Sequence, residues 1–197
     1  MLQPRDARAA CMKRIHVVLA LVGVLSATGA RVASATVVQR AGLEALVKSS
    51  AVVVHGIVRA VDEASPKASA PFRTIVDIDI TESVKGLPAG TGSLRLELPG
   101  GRSGDLAMYV PGMPRFVAGD EVVLLLEATS AGFVPAGLAQ GVFHVERATG
   151  AAMVRRQLEG ATYADILGRP VTGPPEPTRL DDLLTTLRAL SRAGSTP

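Results

Sequence analysis

Two of the three histidines, one pair of aspartates and one glycine-flanked serine are the residues of this chain whose types and places invite chemistry, the third histidine, His16, lying in the N-terminal apolar run. His55 and His144 each stand alone in an apolar stretch. Neither has a second His four residues away or a carboxylate at ligand spacing, so packing is expected of both, not metal binding. Asp77 and Asp79 project from one face of an alternating segment and can approach Glu97. Paired carboxylates of this kind bind calcium or exchange protons, and are otherwise a solvated sheet face. Ser103 lies in Gly100-Gly101-Arg102-Ser103-Gly104-Asp105, which superficially looks like a nucleophile elbow. The long helix that must follow such an elbow is missing, and the stretch lacks the Gly-Lys-Ser/Thr ending of a phosphate loop. Gly137-Leu138-Ala139-Gln140-Gly141 is a bend carrying one polar side chain. Among six scattered aromatics, Tyr109 and Phe116 share the longest irregular stretch and are the candidates for recognition by ring contact, or for covering the end of the fold. No catalytic residue, metal site or cofactor is expected.

The elements that must position these residues begin after a targeting segment. The chain has 197 residues, 47% hydrophobic and 20% charged, enough for one folded domain and too apolar for disorder. Lys13 and Arg14 precede the apolar run Ile15 to Leu25, and Ala33-Ser34-Ala35 has small residues where signal peptidase cuts. Residues 1–35 are therefore expected to be a signal peptide, with Met12 as natural a start as Met1 and a mature chain beginning near Thr36. The run is too short to span a bilayer. The segment holds five of the 21 basic and one of the 18 acidic side chains, so the rest carries a net charge of −1. This excludes a nucleic-acid reading based on basicity. Cys11, the only cysteine, leaves with the segment, so no internal disulfide is available. The expected location is the periplasm or the medium.

Helical spacing of Leu43, Leu46 and Val47 predicts a short helix over Gln39 to Lys48. Ala51 to Val61 is rich in β-branched residues and predicts a strand, with Gly56 marking a bulge or sharp bend. A loop from Asp62 to Pro71 follows. Arg73 to Val84 is the clearest alternation, with Thr74, Val76, Ile78 and Ile80 on one side and Ile75 the one apolar residue out of phase, and Ser93 to Leu98 alternates again. Arg102 to Ala118 is expected to be irregular. Glu121 to Leu126 is an apolar run of the kind buried on both faces. A short strand from Gly132 and a hairpin of Val142 to Arg147 with Ala152 to Arg156 complete the β elements. Arg169 to Pro177 carries four prolines and predicts a stiff connector. A final amphipathic helix over residues 178–193, capped by Thr178, has Leu180, Leu183, Leu184, Leu187 and Leu190 as its stripe. The fold expected is mainly β: a small OB-like antiparallel barrel over residues 36–168, with a short N-terminal helix and a C-terminal amphipathic helix.

The strand Val52-Val53-Val54-His55-Gly56-Ile57-Val58, the turn Lys85-Gly86 and the segment Gly119-Asp120-Glu121-Val122-Val123-Leu124 occur in an order that carries a resemblance. Over roughly residues 38–146 the chain resembles a group of uncharacterised exported bacterial proteins. It is also similar in plan to netrin-like and tissue-inhibitor-of-metalloproteinase (TIMP) domains, which are OB-type barrels. Those inhibitors have an N-terminal cysteine and several disulfides, which this chain lacks. The resemblance implies an exported metalloprotease as partner. Thr36 would stand where the inhibitors present a free amine and carbonyl to zinc, with Val37 and Val38 next to an apolar pocket. Taken together, the residues point to an exported non-catalytic binding domain with an unknown protein partner. An exported hydrolase using Asp77, Asp79 or His144, and a structural component of the envelope, are the alternatives.

Overall fold

Alternation dominates the middle of the chain, and the backbone obeys it. The structure, a computed structural model, describes residues 37–64, 72–147, 150–156, 158, 162–165, 167–171 and 178–194. The expected signal segment, Thr36 and most of the proline-rich connector lie outside the described residues. In chain order the elements are β1 (Val37–Gln39), α1 (Leu43–Ser49), β2 (Val52–Ala64), β3 (Arg73–Lys85), β4 (Ser93–Pro99), β5 (Gly101–Ser103) and β6 (Leu106–Met108). Then come β7 (Glu121–Thr129), β8 (Gly132–Pro135), a 3-10 turn (Leu138–Gly141), β9 (Val142–Arg147) and β10 (Ala152–Arg156). Last are β11 (Thr162–Ala164), β12 (Pro170–Val171), β13 (Thr178–Arg179) and α2 (Leu180–Ala193). Contacts divide the chain into two units, Met1–Ala35 and Thr36–Pro197, and every described residue belongs to the second. Among the described residues no helix is long and apolar enough to cross a membrane.

The protein is mainly β. Its large antiparallel sheet runs β13-β10-β9-β7-β2-β3-β4, with β8 as a second neighbour of β7. Among the described residues the hydrogen-bonded order does not return on itself, and no ladder joins β4 to β13. β7 is the branch point. Its first half pairs with β9 through Val122–Leu124, and its second half pairs with β8 through Leu126–Thr129. The continuous apolar run is explained by this position, because alternate residues serve two separate cores. Val123 and Leu125 face one side with Val53, Phe143, Leu46 and the α2 residues Leu180, Leu183, Leu184 and Leu187. Val122, Leu124 and Leu126 face the other, with Val54, Val58, Val76, Ile78, Leu96 and Leu98. The leucine stripe of α2 is thus spent on the protein's own sheet.

Gly56 sits at a shift of register between β2 and β3. A Cβ there would stand 2.5 Å from the Asp79 carbonyl oxygen and 2.9 Å from Ile78 Cγ2, so only glycine lets the strands approach this closely.

Several boundaries differ from the sequence expectation. The first helix begins at Leu43, and Val37–Gln39 is a strand parallel to β11. Pairing with β11 and bonds from Gln140 hold this stretch extended, overriding a helical pattern that has few residues to support it. The last helix begins at Leu180. Thr178 pairs in register with Val154, so its backbone is committed to the sheet and Arg179 takes the cap position. The strand from Val52 reaches Ala64, absorbing the start of the expected loop. The irregular stretch after Arg102 contains a small hairpin, β5–β6. Pro170–Val171, expected in the connector, pairs with β11.

Candidate functional site

One end of the large sheet opens into a cleft of about 480 Å³. Its floor comes from the ends of β2 and β3 (Val61, Thr74), one wall from the Gly100–Gly101 corner and the β5–β6 hairpin, the other from Met113 to Val117. The corner is fixed by the Gly100 N–H donating to the Phe72 carbonyl at 2.9 Å and by Thr74 Oγ1 donating to the Gly100 carbonyl at 2.9 Å. Gly101 has a φ of 136°, and a Cβ there would meet the Arg73 carbonyl oxygen and Thr74 Oγ1 at 3.1 Å. The opposite wall is tied to β2 by two backbone bonds, Gly119 N–H to the Val58 carbonyl and Val58 N–H to the Asp120 carbonyl, both 2.8 Å. Asp120 also accepts the Val117 N–H at 2.9 Å.

The two aromatics expected to mediate recognition part company here. Phe116 turns inward, 8% exposed, and closes the end of the inner core with its ring centroid 6.1 Å from that of His144. Tyr109 turns outward at 56% exposure, with the Arg115 guanidinium 5.5 Å above its ring. Leu106 on the hairpin and Val117 on the facing wall are also exposed. Tyr109 and Arg115 are thus set at the mouth of the cleft, and tyrosine and arginine are among the residue types that dominate binding energy at protein interfaces.

The carboxylates that invited acid–base readings are ion-paired with arginines. Arg95 donates to both oxygens of Asp77, and these bonds hold the Asp77 carboxyl below its ordinary value. Arg59 bridges Asp77 and Asp79, and Arg73 donates to Glu97. The register sets Asp77 opposite Arg95 and Glu97 opposite Ile75, so Glu97 is a diagonal neighbour of Asp77 and each of the two carboxylates has an arginine of its own. His55 does have a carboxylate neighbour, contrary to what linear spacing suggests. Its Nε2 lies 2.8 Å from Glu121 Oε1, and Arg147 donates to both Glu121 oxygens at 2.6 Å. The partners are 66 residues apart and meet only through β2–β7 pairing. His144 Nδ1 lies 3.6 Å from Asp120. Ser103 is exposed on the β5–β6 hairpin. Among the described residues no group of three or more His, Cys, Asp or Glu is placed to hold a metal ion.

Thr36, the expected first residue of the mature chain, is outside the described residues. Val37 and Val38 pair with Thr162 and Tyr163 in β1. The bend with a polar side chain proves to be what fastens this strand. Gln140, 1% exposed, accepts the Ala41 N–H at 2.8 Å and donates to the Gln39 carbonyl at 3.0 Å. A lone polar residue in an otherwise small and apolar turn was the only sequence signal. Arg156 was missed altogether: it lies partly buried beneath α1 with its guanidinium 4.7 Å from the Phe143 ring.

No protein-family model, no curated protein and no solved structure matches this chain.

Proposed function

We propose that this chain is an exported, non-catalytic binding domain that engages a protein partner through the cleft between the β5–β6 hairpin and Met113 to Val117. The observation that carries the reading is the rim: Tyr109 under Arg115, with Leu106 and Val117 exposed beside a walled cleft. A solvent-facing ring pre-positioned by a guanidinium loses little freedom on binding and contributes a large contact area. The non-catalytic part of the reading is supported by Asp77, Glu97 and Glu121 each being bonded to an arginine. Export is supported by the charged and apolar pattern of residues 13–25 and the small residues at 33 and 35. An OB-like barrel is supported by β8 returning from β7 to lie against β4, so that residues of β2, β3, β4, β7, β8 and β9 gather around one apolar cluster.

The test is a photo-crosslinking residue placed at 109, with one at the exposed Thr129 as control. In cells secreting the protein, position 109 should yield an adduct of one defined mass, displaced by wild-type protein and not by the Y109S/V117S double variant. Equal adducts at both positions, or equal displacement by the variant, would refute the cleft as the binding surface. The double variant should keep its stability to within about 0.5 kcal/mol, since both side chains face solvent.

A second reading, inhibition of an exported metalloprotease through a free amine at Thr36, is favoured by one observation. Gln140 and β11 hold Gln39 to Ala41 in place without a disulfide, so a terminus after Ala35 would lie close to an anchored strand. The neutral amine is a suitable nitrogen ligand for zinc. Mature protein and a version extended by one residue are titrated against zinc proteases of the same host. Inhibition by the first and not the second is expected; inhibition that survives the extension rules out chelation.

A further inference from the structure

A second pocket, of about 300 Å³, lies under the start of α1, between β9, β10 and α2. Leu43, Phe143, Val154 and Leu183 form its apolar side, and Thr178 and Thr186 also line it. Two arginines, Arg40 and Arg156, also line it, and no carboxylate does among the described residues. Most arginines of this protein found beside a carboxylate bond it directly, as Arg95, Arg147, Arg169 and Arg188 do. Arg156 instead has the Phe143 ring at 4.7 Å and one bond to the Ala41 carbonyl at 3.5 Å, the long limit for a hydrogen bond. A desolvated cation beside a second cation is unfavourable unless an anion joins them. Burial, with the charge of Arg40 adding to it, lowers the Arg156 pKa to about 10. The guanidinium therefore stays charged at neutral pH and still has donors to give.

We propose that this pocket binds a small organic carboxylate, its anionic head on the Arg156 and Arg40 guanidiniums and its apolar body against Phe143, Leu43 and Leu183. A carboxylate accepts the paired N–H groups of a guanidinium in a planar fork, which a single carbonyl at 3.5 Å does not satisfy. The apolar side would exclude water from that contact and strengthen it, and it favours an acid with a hydrocarbon body over a bare inorganic anion. The pocket volume is at the lower end for small-molecule sites and leaves ample room for a body the size of a benzene ring or a six-carbon chain. This proposal is independent of the cleft and of any protein partner.

The experiment uses benzoate as probe, with benzyl alcohol and inorganic phosphate as comparisons, followed by two-dimensional NMR of the labelled chain 36–197 and of the variants R156M and R40Q. Benzoate should move the Arg156 Nε–H resonance and the Phe143, Val154 and Leu183 amides along one saturable curve, with a Kd of roughly 0.1–1 mM. Benzyl alcohol should bind at least tenfold more weakly, and so should benzoate to R156M, since a charge-assisted bond is lost. R40Q should weaken binding severalfold. Unchanged cross-peak dispersion in R156M shows that it is folded; if it is not, R156K serves, keeping the charge and losing the fork, with a loss of affinity expected. The E159Q/E176Q double variant should bind benzoate as wild type does. Absence of saturable shifts, binding retained in the folded Arg156 variant, phosphate binding as well as benzoate, or a tenfold gain in E159Q/E176Q (the chain's own carboxylate then being the occupant) would each overturn the proposal.

Discussion

Gln140 and Ala41 are 99 residues apart, and the side-chain oxygen of the first accepts the backbone N–H of the second at 2.8 Å. The same amide donates to the Gln39 carbonyl, so one buried side chain replaces two strand partners at the entry to α1. It reaches them from a turn whose first residues, Gly137 and Leu138, both have positive φ, 59° and 64°. Leucine is rarely held in that region, and the strain is offset by the two bonds that the turn makes possible.

Gln140→Leu should therefore lower stability by about 1–3 kcal/mol, because two part-buried hydrogen bonds to the backbone are lost together. Gln140→Glu keeps an acceptor for Ala41 but sets a buried carboxylate against the Gln39 carbonyl, and should cost at least as much near neutral pH. Urea melts give the magnitudes. Hydrogen exchange of the Ala41 amide locates the effect, and protection unchanged in Gln140→Leu would contradict the assignment.

The Glu121 carboxyl is held below its ordinary value near 4.5, chiefly by the bonds from Arg147 and then by that from His55. A carboxyl with a depressed folded pKa stabilises the fold above its unfolded value, and that stabilisation disappears as the pH falls through the folded value. Wild-type stability should thus decline more steeply than that of Glu121→Gln between roughly pH 5 and 3. At pH 7 the substitution should lower stability by about 1 kcal/mol, a figure kept small because the pair is near the surface. Parallel acid limbs for the two proteins would show that Glu121 does not contribute this linkage.

Leu187 is fully buried and Leu184 is 5% exposed, both in the core between α2 and the sheet. Leu187→Ala and Leu184→Ala should each lower stability by about 2–5 kcal/mol, measured by chemical denaturation of residues 36–197. A loss below about 0.5 kcal/mol at both sites is the range of surface substitutions, and would mean that the helix does not dock on this sheet in solution.

Gly56→Ala places a methyl group against the Asp79 carbonyl oxygen and Ile78 Cγ2 in the register shift of β2 and β3. Backbone must move to admit it, so a loss of about 1–3 kcal/mol is expected. Gly90→Ala is the comparison, because no atom lies within 4 Å of its Cβ, although its φ of 85° imposes its own strain of about 1 kcal/mol. A thermal midpoint lower for Gly90→Ala than for Gly56→Ala would place the constraint in the wrong strand pair.

What the sequence determined by itself is the set of faces. Period-two alternation in Arg73 to Val84 and Ser93 to Leu98 told which residues point inward, and Val76, Ile78, Leu96 and Leu98 are buried as alternation requires. The unbroken apolar run from Val122 to Leu126 told that both faces of that strand are covered, and the leucine spacing of the last helix told which side docks. These signals are local, because the side-chain direction of a strand or helix is set by its own backbone period. Only the tertiary structure decided which residues meet. His55 finds Glu121, Asp77 finds Arg95, Gln140 finds Ala41, and Arg156 lies against Phe143 through strand register and branching, which no spacing along the chain encodes. It also decided that Phe116 closes a core while Tyr109, seven residues earlier, faces solvent, because irregular backbone has no period from which a direction can be read. The ends of α1 and α2 were decided the same way: Gln39 and Thr178 are drawn into strand pairs by partners distant in sequence, and that pairing outweighs a marginal helical preference at the first and last turn.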